Sequence, residues 1–252
     1  MNNYLKNLKK IEFVVTYACT GRCIHCSEGD HPPCGIHIDP APASAAVKSI
    51  ASAYDIKTVM AFGGEPLLYP DAVYSIMNTA RELGIPKRQV ITNGFFSKGI
   101  TKIKEVVSKL AQCGINDLLL SADAFHQEHI PLDTVKAFAL EARSAGIPIR
   151  IQPAWLVSRE DGNRYNLRTK EILCEFRSLG IEENEGNLIF PEGNAKIHLA
   201  EYFTDSIPQN PYADDPYDIR CLSVDPDGSV LGGNIYDDDI LDIIEAYQQY
   251  QK

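Results

Sequence analysis

The sequence predicts an α/β protein whose parallel sheet is covered by helices. Three observations predict it. Short apolar runs alternate with longer amphipathic runs six times between Ile11 and Gly193, the pattern of β-then-α units. The short runs are apolar nearly throughout, as strands buried on both faces are. Glycine, proline, Asn or Asp punctuates most of the junctions.

The elements follow in order. "IEFVVTY" is rich in β-branched and aromatic residues and reads as a first strand. A cysteine-containing loop leads to the helix "APASAAVKSIASAY", and the strand "KTVMAFGG" ends in glycines. The helix "DAVYSIMNTARELG" carries Asp71 in its first turn and Gly84 past its end. "RQVITNG" and "DLLLSAD" are the third and fourth strands, with the helix "KIKEVVSKLAQCG" between them. "DTVKAFALEARSAG" is the next helix, with Asp133 as its expected N-cap. "IPIRIQPAW" is a fifth strand, "TKEILCEFRSLG" a helix and "NLIFPEG" a sixth strand. Periodicity leaves open whether these units form a doubly wound sheet or a curved partial barrel. Either way, ligands belong at the carboxyl ends of the strands.

The pattern weakens after Ala200. "EYFTDSIPQNPYADDPYD" reads as a linker, "CLSVDPDGSVLGG" as a hairpin turning at "DPDG", and "DDDILDIIEAYQQY" as a C-terminal helix. The expected division is therefore residues 1–200 and a C-terminal extension, residues 201–252.

The chain has 252 residues with a formal net charge of −10. That charge argues against a nucleic-acid partner, which needs clustered Lys and Arg. The sequence shows no membrane span and no secretory leader pattern. Its seven cysteines, an odd number, suit a reducing compartment, so a cytoplasmic location is expected.

"YACTGRCIHCSEGDHPPC" holds Cys19, Cys23 and Cys26 directly after the first strand. Thiolates this close together can hold a soft metal or an iron–sulfur cluster. A [4Fe–4S] cube usually takes four cysteines, so three leave one iron open to a ligand. One face of a buried helix has the same spacing, but Gly21, Arg22 and His25 argue against it. A zinc site completed by His25 or Cys34 is the other alternative, and it would make the protein a zinc-binding interaction module.

The spacing Cys-x3-Cys-x2-Cys resembles the signature of the radical S-adenosylmethionine (SAM) superfamily. "GGEP" (Gly63, Gly64, Glu65, Pro66) at the second strand's end, "ITNG" (with Thr92 and Asn93) at the third and "SADAF" at the fourth fit that resemblance in register. The resemblance implies a partial (β/α)6 barrel with a short C-terminal hairpin-plus-helix extension. It also implies one [4Fe–4S] cluster on Cys19, Cys23 and Cys26, with SAM chelating the open iron. Glu65 and the Gly63–Gly64 backbone would hold the SAM amino group, and His25 would lie near its adenine. Reductive cleavage of SAM would give a 5′-deoxyadenosyl radical that takes hydrogen from a substrate, with an electron donor such as flavodoxin or ferredoxin.

Strand alternation adds further candidates. Arg150 and Gln152 share one face of the fifth strand, opposite Ile149 and Ile151, and Ser121 and Asp123 share one face at the end of the fourth. These four are expected to bind SAM or substrate. "FHQEH", with His126 and His129, is read as a loop contact or helix start. "FPEGNAK" resembles a Gly-Arg-Ala segment of peptide-modifying members, with Asn194 in place of Arg. A peptide or protein substrate is therefore expected. Activation of a glycyl-radical enzyme and small-molecule chemistry are the alternatives. No cysteine follows Cys221, so no second cluster is expected.

Overall fold

The computed structural model describes residues 2–203, 208–213 and 215–248. In chain order its strands are β1 (Lys10–Val14), β2 (Thr58–Phe62), β3 (Lys87–Thr92), β4 (Asp117–Ser121), β5 (Ile149–Gln152), β6 (Ala154–Trp155), β7 (Asn187–Leu188), β8 (Cys221–Val224), β9 (Ser229–Val230) and β10 (Gly233–Asn234). Its helices are α1 (Pro40–Ala53), α2 (Pro70–Glu82), α3 (Ile100–Gln112), α4 (Ala124–Gln127), α5 (Leu132–Ser144), α6 (Arg164–Ser178), α7 (Gly193–His198) and α8 (Ile240–Ala246).

The main sheet has six parallel strands in the order β5-β4-β3-β2-β1-β8. From β1 to β5 each strand lies beside its predecessor. A doubly wound sheet would reverse direction partway and place helices on both faces. Here every right-handed crossover drops its helix on the same side, and α1, α2, α3 and α5 pack in sequence there. The result is a partial barrel. Register puts Phe13, Ala61, Val90 and Leu118 in one row on the helix side, all fully buried. The adjacent row, Glu12, Met60, Gln89 and Asp117, faces the concave interior. Leu222 and Val224 of β8 join the apolar side.

Local chemistry sets the helix starts. Asp39 caps α1 by accepting the Ala41 N–H at 2.9 Å, with Pro40 as the first helical residue. At α5 the expectation fails: Pro131 is the N-cap and Asp133 lies inside the first turn. A carboxylate there still favours the helix dipole.

Two further expectations are corrected. The fifth strand is split at Pro153 into β5 and β6, and the sixth is shortened to β7. Residues 182–189 run parallel to β5 and β6, with Ile151 N–H donating to the Glu182 carbonyl at 2.8 Å and Ile189 N–H to the Trp155 carbonyl at 2.9 Å. Pro153, which has no N–H, breaks the ladder between them. The segment "CLSV" is not one arm of a hairpin. "DPDG" does turn the chain, Gly228 N–H donating to the Asp225 carbonyl at 2.9 Å, but β8 pairs in parallel with β1, and the hairpin is β9–β10. The C-terminal helix begins after its Asp239 N-cap and ends at Ala246. Residues 249–250 of its expected span lie outside the described residues.

Candidate active site

The chain leaves β1 toward the carboxyl edge of the sheet and enters the cysteine loop. The exit is held by β2. Gly64 N–H donates to the Thr16 carbonyl and Glu65 N–H to the Ala18 carbonyl, both at 2.8 Å. A Cβ on Gly64 would come within 2.2 Å of the Ala18 carbonyl oxygen, so this approach admits only glycine. Inside the loop, Cys19 N–H donates to the Pro32 carbonyl at 3.0 Å and Cys26 N–H to the Cys23 carbonyl at 3.2 Å.

The three thiols meet one cavity of about 120 Å³, lined also by Gly21, His25, His31, Gly63, Gly64, Thr92, Asn93, Ser121 and His126. A Cβ at Gly21 would touch Cys23 Sγ at 3.3 Å and Cys19 Sγ at 3.6 Å, so glycine leaves both sulfurs room. Burial pushes the Cys19 thiol up to about 11 and raises Cys23 and Cys26 as well. Polar atoms still reach the sulfurs: Asn93 Nδ2 lies 3.6 Å from Cys19 Sγ and His31 Nε2 3.1 Å from Cys26 Sγ.

Glu65 lies beneath this cavity and does not line it. It is fully buried and accepts the Leu67 N–H at 2.9 Å, the Asn93 N–H at 2.8 Å and the Thr92 hydroxyl at 2.8 and 2.9 Å. Burial pushes its carboxyl up to about 7 against these hydrogen bonds. Its side chain thus fixes Thr92 and Asn93, which do face the cavity.

Ser121 lines the cavity, but Asp123 turns inward. Fully buried, it caps α4, accepting N–H groups of Phe125, His126 and Ala154 at 3.0 Å each. The His126 ring places Nδ1 2.9 Å from both its oxygens. Burial works against this charge, yet His126 and the backbone donors hold the carboxyl down at about 2. With its oxygens occupied, Asp123 is a partner of His126 rather than an exposed ligand group. The sequence reads His126 as a loop contact or helix start; it falls in α4, where the Asp123 N-cap orients its ring. His25 packs its ring 4.8 Å from Phe125 and 4.9 Å from His126, and its buried Nδ1 has no hydrogen-bond partner. Burial lowers its pKa to about 4, so the ring is neutral.

Arg150 and Gln152 lie elsewhere. Ile151 and Ile149 do pack into the core, which turns the polar pair to the other face. There it lines an open groove of about 620 Å³ with Arg159, Asn184, Glu185 and Asn187. Gln152 of the groove pairs in register with Ser121 of the cavity.

The donor set fits an iron–sulfur cluster better than one zinc ion. Tetrahedral zinc with Zn–S bonds of about 2.3 Å needs its sulfurs roughly 3.8 Å apart. Among the described residues, the grouping compact enough for a single ion is His25, Asp123 and His126, not the cysteines. That grouping is already closed by the hydrogen bonds on Asp123. Desolvated thiols spread around a cavity suit a multi-iron cluster that replaces their protons.

A sequence profile of the Radical SAM superfamily matches residues 13–152, more than half of the chain. The chain belongs to the radical SAM superfamily, whose enzymes carry a [4Fe–4S] cluster and bind SAM. "Probable GTP 3′,8-cyclase" of Saccharolobus islandicus is 25% identical over 213 residues, which cover 80% of this chain. The chain spans 64% of that relative's length. Among solved structures, Streptococcus suis SuiB bound to S-adenosylmethionine aligns over 99% of this chain and 68% of its own, with TM-score 0.59 and 13% identity. The anSMEcpe protein with bound AdoMet and Cp18Cys peptide aligns over 95% and 80%, with TM-score 0.58 and 12% identity. These two share the fold. No helix among the described residues is long and apolar enough to cross a membrane.

Proposed function

We propose that this radical SAM enzyme holds a [4Fe–4S] cluster on Cys19, Cys23 and Cys26 and acts on a peptide or protein. The observation that carries the reading is the cavity in which three desolvated thiols face the Gly63–Gly64 backbone, Asn93 and Ser121 at the carboxyl ends of the strands. The bound cluster and SAM would supply one-electron cleavage of a carbon–sulfur bond and hydrogen abstraction. The chain's own residues bind, orient and exclude water. The Gly63–Gly64 backbone and Asn93 would hold the SAM amino group, Asn93 being fixed from below by Glu65. His25, neutral and with an unpartnered nitrogen, would receive the adenine.

Two things support a peptide or protein substrate. The groove beside the cavity is open and lined by amides, guanidinium groups and the carboxylates of Glu183 and Glu185, which suits a polar substrate larger than the cavity. The anSMEcpe protein, of the same fold, binds a peptide. A reduced flavodoxin or ferredoxin would donate the electron. A nucleotide substrate is the second reading, favoured by the relative named as a probable GTP 3′,8-cyclase.

Anaerobically reconstituted protein given dithionite and SAM should release 5′-deoxyadenosine, and Cys23→Ala should abolish this. Cleavage undiminished in that variant would remove the cluster from these cysteines. Incubation with GTP separates the substrate readings: a modified purine product would overturn the peptide assignment.

A further inference from the structure

A contact remote in sequence holds the cysteine loop in place. After β7 the chain turns into α7, and its first residues lie against that loop. The Asn194 N–H donates to the Cys26 carbonyl at 2.8 Å. Its side-chain Nδ2 donates to the Cys23 carbonyl at 3.3 Å and to Asp30 Oδ1 at 3.2 Å. Asn194 therefore grips the backbone of two of the three proposed ligands. The side chain must donate twice, which an amide nitrogen does and a carboxylate does not.

Gly193 makes this approach possible. Its φ is +50°, and a Cβ there would come within 2.3 Å of the Ser27 carbonyl oxygen, 2.5 Å of the Cys26 carbonyl oxygen and 2.6 Å of the Gly29 nitrogen. All three are backbone atoms, so no flexible side chain can yield. The clasp is itself anchored. Ala195 and Leu199 are buried in a small second core with Phe125, Tyr165 and Ile189, and Ile24 of the cysteine loop packs against it.

We propose that Gly193 and Asn194 are positioning residues for the iron–sulfur cluster. They fix the carbonyls of Cys23 and Cys26, and so set the direction in which those sulfurs point. The inference rests on the cluster assignment made above. Partners one shell out from a metal ligand commonly change metal retention by roughly 10–100-fold when removed.

The test uses the reconstituted full chain. Three quantities are read: iron release to a chelator, the EPR signal of the reduced cluster, and the thermal midpoint of the cluster-free protein. Asn194→Ala should release iron about tenfold faster and shift the EPR g values, with the cluster-free midpoint unchanged. Asn194→Asp should be worse, because it sets a carboxylate against a carbonyl and Asp30. Adding Asp30→Asn restores a donor–acceptor pair and should recover part of the retention. Gly193→Ala should lose iron faster than Asn194→Ala. Wild-type release rates and EPR signal in the Asn194 variants would overturn the proposal. So would faster release that merely tracks a lowered cluster-free midpoint, which marks a general folding defect. Wild-type protein that takes up no iron or sulfide would instead sink the cluster assignment, and the proposal with it.

Discussion

The cavity and the open groove are lined by Ser121 and Gln152, which pair in register on neighbouring strands, yet, Asp123 and its His126 partner aside, their charges are handled in opposite ways. In the groove and the strand layer below it, charges are paired. Asp117 meets Lys87 at 2.8 Å, Arg150 at 2.5 Å and Gln89 at 2.5 Å, and these donors hold its carboxyl low despite burial. Glu183 is met by Arg177 at 3.0 Å and Arg159 at 3.4 Å. In and beneath the cavity, burial instead pushes three thiols and Glu65 up. Paired charges need nothing more. Desolvated acids without a cation are poised to gain one, since positive charge nearby favours their ionised form. The cavity thus suits the cluster and SAM of the family, and under the proposed function the groove would take the substrate.

The strongest way to break this comparison is to empty the cavity of thiols. A Cys19/Cys23/Cys26 triple-alanine variant should lose the whole [4Fe–4S] signal in Mössbauer or EPR spectra. The other cysteines are scattered: Cys113 follows α3, Cys174 lies on α6, Cys221 opens β8 and Cys34 is exposed in the loop. Retained cluster signal would reveal a second site and end the contrast between cavity and groove.

A charge change beneath the cavity sharpens the comparison next. Glu65→Gln removes the buried carboxylate and sets an amide N–H among donors. SAM affinity should fall by up to roughly 10–100-fold, the worth of the charge-assisted hydrogen bond of about 1.5–3 kcal/mol by which Glu65 fixes the Asn93 N–H. Iron content should stay near wild type. Equal SAM affinity, measured by equilibrium dialysis, would show that Glu65 serves only the fold.

How far this division could be seen in the sequence follows from the range of the interactions. β1 to β5 and their helices were legible because period, glycine and proline act locally. The cysteines and Gly63–Gly64 were legible for the same reason. β8 was misassigned because its partner β1 lies some two hundred residues away, and "DPDG" suits a hairpin equally well. The split fifth strand follows from one missing N–H, at Pro153. Alternation assigned Arg150 and Gln152 to a face but could not say which opening on that face they line. At Asp123 alternation misled, because the strand ends at Ser121 and the next residues turn into a helix. Nothing local announces the Asn194 clasp, which spans 171 residues to Cys23.

Asp123 offers a third, smaller effect, read in stability. Held by His126 and the backbone donors, its folded pKa of about 2 lies below the ordinary aspartate value of 3.8. A depressed carboxyl stabilises the fold fully above the unfolded pKa and loses that contribution as pH falls through the folded one. Urea unfolding should therefore show about 2 kcal/mol lost between roughly pH 4 and pH 2. That component should vanish in Asp123→Asn, whose stability is already lower at pH 7. A wild-type loss unchanged in the variant would mean that other carboxyls carry it.

The smallest effect is expected at Arg150, and it tests the groove's side of the comparison. Arg150 is half exposed and its ion pair with Asp117 is one of two, since Lys87 and Gln89 remain. Removing an exposed pair of this kind costs about 0–1 kcal/mol. Arg150→Met keeps the aliphatic stem, so packing against the strand is preserved. If the groove holds substrate and not SAM, this variant should keep wild-type iron content, and SAM cleavage in the absence of substrate should change by no more than about twofold, under 0.5 kcal/mol. A large loss of SAM affinity would mean that the cofactor reaches past Ser121 to Arg150. Cavity and groove would then be one site, and the paired charge at Arg150 would be a resting state that SAM displaces.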